Sequence, residues 1–149
     1  MNVAGEKAKQ AGIQLAYHNH NFEFAPLEGS TGFDTFIERF DKEMVKFELD
    51  VFWSSIAGVP PISLMKKLGS SLHLLHLKDR LAGTTTEYDN GKVEDKAFQP
   101  LGAGIINMQE VLKLAPELGV KYCMVEQDHS PAILEDIGVS MEYLTDYYA

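Results

Sequence analysis

Two histidines spaced two residues apart, His18 and His20, close an apolar run that begins at Ile13. Three further runs end in the same kind of chemistry. Val45 leads to Glu48 and Asp50, Leu72 leads to His76, Lys78 and Asp79, and Tyr122 leads to Glu126 and Asp128. Imidazoles and carboxylates ligate divalent metals and move protons in acid–base steps. Side chains alternate along a strand, so residues i and i+2 share a face. That parity aligns His18 with His20, Glu48 with Asp50, Leu74 with His76 and Lys78, and Met124 with Glu126 and Asp128. An inward face carrying His18, Asp50, His76 and Glu126 presents two imidazoles and two carboxylates. Mixed nitrogen and oxygen donors suit a divalent transition metal or Mg²⁺, with open positions for a substrate's oxygens.

The four runs need elements that bring their ends together. Residues 2–11 read as a helix closed by Gly12, and the first strand runs from Ile13 to His18. Residues 21–32 form a loop, and Phe33, Phe36, Ile37 and Phe40 follow at helical spacing. The second strand is 45–51, and after Phe52 and Trp53 a loop is expected. Pro61 opens a helix that runs to about Lys67 and closes at Gly69. The third strand is 72–77, and residues 80–105 form the longest irregular stretch. Asn107 with Glu110 makes a capping-box pattern for the next helix. The fourth strand is 122–127, and a last helix spans about 139–147. Strands alternating with helices imply an α/β fold with parallel strands and right-handed crossovers. Ligands collect at the C-terminal ends of such strands, so the four endings address one site.

Composition narrows the partners. The chain has 149 residues, the size of one domain, and is read as a single domain over residues 1–149. The formal net charge of −9 argues against a large nucleic-acid footprint, which needs clustered cations. No apolar stretch approaches the length of a membrane helix, no signal peptide is seen, and the one cysteine, Cys123, fits a reduced cytoplasmic setting. Cys123 sits in an apolar run and reads as a small core residue.

The motifs Leu49-Asp50, His76-Leu-Lys-Asp79, Val125-Glu-Gln-Asp128 and Tyr17-His-Asn-His-Asn-Phe-Glu-Phe24 together resemble the xylose-isomerase-like TIM barrels, the sugar phosphate isomerase/epimerase superfamily. The resemblance covers essentially the whole chain and corresponds to the C-terminal half of the family's barrel, four of eight βα units. It implies a half-barrel completed or covered by oligomerisation, a homodimer at least, because exposed sheet edges and an uncovered inner face invite association. It also implies a divalent metal (Mn, Mg, Co or Zn) and a sugar or sugar phosphate as substrate. The reaction would be isomerisation or epimerisation through an enediolate, with a keto-sugar lyase or dehydratase, or a non-catalytic half-barrel, as alternatives. Family metal ligands map onto Asp50, His76 and Glu126. The first ligand is commonly Glu in the family, and His18 stands in its place here. His18 either ligates or is a hydrogen-bonded core histidine. The implied roles are ligand and base for Glu126, charge neutralisation or anion binding for Lys78, and a hydrogen bond to a sugar hydroxyl for His20.

Blander readings stand beside these. Lys78 and Asp79 read equally as a plain ion pair. Asp128 and His129 read as caps of the next segment, and Glu23 as a solvated loop residue. His73 has the opposite parity from His76 and is expected outside the barrel. Trp53 and Phe22 read as wall residues. The Gly102/Gly104 loop lacks the strand–glycine–helix context and the lysine of a phosphate cradle.

Overall fold

The apolar runs pair side by side in the order in which the chain lays them down. A computed structural model describes all 149 residues. Its central sheet is four-stranded and wholly parallel, with strands β1 (Leu15–His18), β4 (Val45–Asp50), β5 (Leu72–Leu77) and β8 (Tyr122–Val125) in that spatial order. A helix, α1 (Asn2–Gln10), precedes β1. The crossovers carry α2 (Gly32–Arg39), α3 (Val51–Ile56) with α4 (Pro61–Leu68), and α5 (Met108–Glu117), and α6 (Ile133–Tyr148) follows β8. This is the arrangement of half a TIM barrel.

Alternation along β4 explains how the sheet is layered. Val45, Phe47 and Leu49 are fully buried with Leu72, Leu75 and Leu77 of β5, under the helices. Phe33 of α2, Met65 of α4 and Val111 of α5 fill the same core. Lys46, Glu48 and His76 face the other way and are only partly covered. That second face is the inner wall of a barrel, and at the edge strand Tyr122 is left 71% exposed. Each buried large apolar side chain contributes on the order of 1.5–3 kcal/mol, so this one-sided core is what holds the sheet.

Local signals act where expected. The Thr31 hydroxyl caps α2 by accepting from Asp34 N, and the Asn107 side chain accepts from Glu110 N at the start of α5. Gly12 takes φ 76° after α1, the left-handed conformation that its position requires.

Six expectations change. No loop follows Phe52 and Trp53 directly: both lie in α3, because the Asp50 carboxylate accepts from Trp53 N and starts a helix at the strand's last residue. The 80–105 stretch is partly ordered by a short antiparallel pair, β6 (Asp79–Arg80) with β7 (Phe98–Gln99). Another such pair, β2 (Pro26–Leu27) with β3 (Ser30–Thr31), lies in the loop after β1. The last helix begins six residues earlier than its apolar periodicity predicts, and β8 ends at Val125. Cys123 is exposed, because β8 is an edge strand. No helix is long and apolar enough to cross a membrane.

Candidate metal centre at the strand ends

Asp50 stands at the middle of the site because β4 is an inner strand, flanked by β1 and β5. Its side chain is fully buried. One carboxylate oxygen, Oδ1, caps α3, and its backbone N–H donates to the Asn19 side chain at 3.1 Å. The other oxygen, Oδ2, is free to face its neighbours: His18 Nε2 at 3.4 Å, His76 Nδ1 at 3.8 Å and Lys78 Nζ at 2.9 Å. Donor atoms of His18, Asp50 and His76 all lie within 4.8 Å of one another. Glu126 adjoins this trio, with Oε2 2.7 Å from His76 Nδ1 and 2.7 Å from Lys78 Nζ.

Whether these residues fit a cation is decided by two buried atoms. His76 Nδ1 and Glu126 Oε2 approach each other to 2.7 Å without a well-formed hydrogen bond between them, and Lys78 Nζ lies 2.7 Å from the same carboxylate oxygen. A buried imidazole nitrogen and a carboxylate oxygen converging beside His18 and Asp50 are donors of the kinds that a divalent metal takes. The other ring nitrogen of His76, Nε2, lies 2.7 Å from Glu48 Oε1. A carboxylate behind a ligating histidine fixes the ring's orientation and raises its basicity. The residues present therefore fit a divalent cation.

Electrostatics are dominated by Lys78, whose side chain is 2% exposed and touches three carboxylates, Asp50, Glu126 and Asp128 at 2.8 Å. Burial alone would lower its pKa, but the Asp50 charge and the other carboxylates outweigh burial and hold it above its ordinary value. Burial would raise the Asp50 carboxyl, and the contacts with His18 and Lys78 reverse this, so Asp50 stays below the usual carboxylate range. Glu126 is likewise lowered: Lys78 overcomes the effect of burial. His18 is raised, since Asp50 outweighs burial. His20 is lowered, by burial and then by His18 beside it, so its imidazole is biased toward the neutral form.

His18, Asp50, His76, Lys78 and Glu126 come together as their parity predicts. His20 lies one step out, its ring 4.9 Å from His18 and 5.5 Å from Trp53. His18, His20, Trp53, Lys78, Glu126, Asp128 and His129 line an open cavity of about 300 Å³, together with Asn90 and Gly91 of the long loop. His73 sits apart, with Lys46, Lys121 and Glu43 as its charged neighbours.

Several residues do more than sequence reasoning assigned to them. Glu48 shares the parity of Asp50, which was the available signal for its place behind His76. Asp128 anchors Lys78 and does not simply cap the next segment. Lys78 and Asp79 are not an ion pair: Asp79 is fully buried on the opposite side and accepts backbone N–H bonds from Arg80, Gly102, Gly104 and Ile106. Glu23 is buried as well, accepting from the Tyr17 hydroxyl at 2.7 Å and from His20 N. Phe22 is exposed and stacks on His20. The spacing of side chains did not disclose these buried roles, because Asp79 is held by backbone groups of loops and Glu23 by the Tyr17 hydroxyl and the His20 amide.

A half-barrel with donor residues at its strand ends defines a class, and the comparisons agree with it. The family model for xylose isomerase-like TIM barrels matches residues 1–147, and the chain belongs to that family. An inosose dehydratase of Clostridium botulinum is 24% identical over 140 residues, covering 89% of this chain and 46% of the relative. A crystal structure of a sugar phosphate isomerase/epimerase from Parabacteroides distasonis is 28% identical with a TM-score of 0.77, covering 96% of this chain and 48% of that one. A xylose isomerase-like TIM barrel protein from Mycobacterium smegmatis, solved in complex with magnesium, is 20% identical with a TM-score of 0.67, covering 98% and 47%. The chain thus spans about half the length of the relatives that it matches.

Proposed function

We propose that this chain carries the metal-binding side of an enzyme that removes a proton next to the carbonyl of a polyhydroxylated ketone, acting as a sugar isomerase or epimerase. The observation that carries the reading is the convergence of His18, Asp50 and His76, whose donor atoms lie within 4.8 Å of one another, with Glu126 Oε2 2.7 Å from His76 Nδ1. Asp50, His76, His18 and Glu126 would hold the divalent ion, whose identity among Mn, Mg, Co and Zn is left open. When bound, it would polarise the substrate's carbonyl and stabilise negative charge on its oxygen.

The chain's own residues supply the remainder. Glu126 is ionised at neutral pH and lines the cavity, so it can take the α-proton as general base. Lys78, charged and fixed by three carboxylates, offsets the negative charge that develops. His20, biased toward its neutral form, can both donate and accept a hydrogen bond with a hydroxyl.

A dehydratase is the second reading, favoured by the inosose dehydratases among the relatives. It begins with the same proton removal and ends with loss of the neighbouring hydroxyl. The two separate by mass spectrometry after incubation of Mn²⁺-loaded protein with a ketose panel in D₂O. Isomerase or epimerase chemistry gives deuterium at the α-carbon with the carbon skeleton's composition retained, and dehydration gives loss of water. Neither product from any ketose would contradict the proposed activity. A homodimer that covers the inner sheet face, and a cytoplasmic setting, belong to the same proposal.

A further inference from the structure

Arg80 is partly buried, and no carboxylate acts on its guanidinium. Nη1 donates to the Ser55 carbonyl in the last turn of α3, and Nε is buried without an acceptor. A carbonyl carries only a partial charge, whereas a full charge drawn out of water needs a counter-charge. Burial pushes the guanidinium below its ordinary value, and nothing offsets this as three carboxylates do for Lys78.

The guanidinium lines an open cleft of about 350 Å³ that shares no residue with the cavity at the metal centre. Its walls are the α3–α4 turn, the long loop and the start of α5. These follow the inner strands β4 and β5, away from the free sheet edges at β1 and β8. No acidic side chain lines the cleft, in a chain of net charge −9. Pro60 opens α4 there without a capping side chain, and Asn107 opens α5. A helix N-terminus favours an anion. The Thr86 hydroxyl is a neutral donor in the same wall. Val59, Ile62 and Ile105 add branched apolar surface, and Ile105 is 48% exposed.

We propose that this cleft is a second ligand site, taking a small monocarboxylate with a branched apolar body. Arg80 supplies one positive charge against one negative, and a charge-assisted hydrogen bond to a carboxylate is stronger than one between neutral groups. Val59, Ile62 and Ile105 hold the body. The site stands apart from the proposed chemistry at the strand ends and does not depend on it.

The test titrates the isotope-labelled chain, in Mg²⁺-containing buffer at neutral pH, with isovalerate, its neutral amide isovaleramide and inorganic phosphate. NMR follows the backbone amides and the Arg80 Nε–H. Isovalerate is expected to shift Ile62, Thr86, Ile105 and Arg80 and to saturate at millimolar concentration. Isovaleramide is expected to bind about tenfold or more weakly, the scale of losing one charged hydrogen bond. Arg80→Gln is expected to weaken isovalerate by about tenfold or more and to leave the amide's affinity unchanged. Ile105→Glu puts a like charge at an exposed position and is expected to weaken isovalerate by about threefold or more, a readout that stands even where the Arg80 variant does not fold. Equal binding of acid and amide, or phosphate binding as tight as isovalerate, overturns the proposal. So does unchanged affinity in folded Arg80→Gln or in Ile105→Glu, a lack of saturable shifts, or shifts confined to the strand-end histidines.

Discussion

Asp50 has two jobs assigned to two oxygens: Oδ1 starts α3, and Oδ2 faces His18, His76 and Lys78. Replacing it with Asn keeps a cap-competent oxygen but removes the charge that balances Lys78. Leaving one member of a buried pair costs about 3–5 kcal/mol, so Asp50→Asn is expected to lower the urea midpoint markedly at pH 7. The sign of the pH dependence follows from the shifts. The Asp50 carboxyl is held below its ordinary value of 3.8, so its contribution is full above that value and is lost as pH falls through the lower folded-state value. Lys78 is held above its ordinary 10.5, so its contribution is full below that value and is lost only at higher pH. The metal-free protein should therefore show a stability plateau between these limits, with an acid-side fall that is shallower in Asp50→Asn. Urea melts from pH 7 to about pH 3 check this, and parallel acid profiles for the two proteins would count against it. Parity made Asp50, His76, Lys78 and Glu126 legible from sequence. The burial of Asp79 was not, because the backbone N–H groups that hold it leave no pattern in side-chain types, and that of Glu23 depends on a loop that folds back onto Tyr17 and the His20 amide.

At the scale of elements, Asp79 is the pin of the long loop. It follows Lys78, opens β6, and gathers the amides of Gly102, Gly104 and Ile106. A Cβ at Gly104 would stand 2.3 Å from Asp79 Oδ1, so the chain can approach the carboxylate only with glycine there. Gly104→Ala and Asp79→Ala should each cost about 1–3 kcal/mol or more, read by thermal melting. Both should also raise amide exchange across residues 98–106 while leaving α2 protected. Uniform loss of protection through the sheet would show that the pin is not local. The four strands and their helices were readable from apolar periodicity and caps. The six residues of α3 were not, since their start depends on the Asp50 cap and their apolar faces are buried all round.

At the scale of the whole molecule, the core lies on one side of the sheet. The helix-facing layer is closed, while β1 and β8 are free edges and the inner wall carries Tyr122 exposed. Such a face favours association, so light scattering at micromolar concentration should give a mass of at least two chains, and a monomer would remove the homodimer from the proposal. The half-barrel topology was legible from the count of strand–helix units, whereas the partner across the inner face is not encoded in any local pattern. The proposed function requires that the strand ends hold a divalent ion through His76 and its neighbours. Isothermal titration of Mn²⁺ into the metal-free protein and into His76→Ala tests it most directly. The expected result is one ion per chain in the parent and at least a roughly tenfold weaker site in the variant, the scale of loss seen when even a supporting group is removed. Equal affinity in the two proteins, or no binding in either, would contradict the claim.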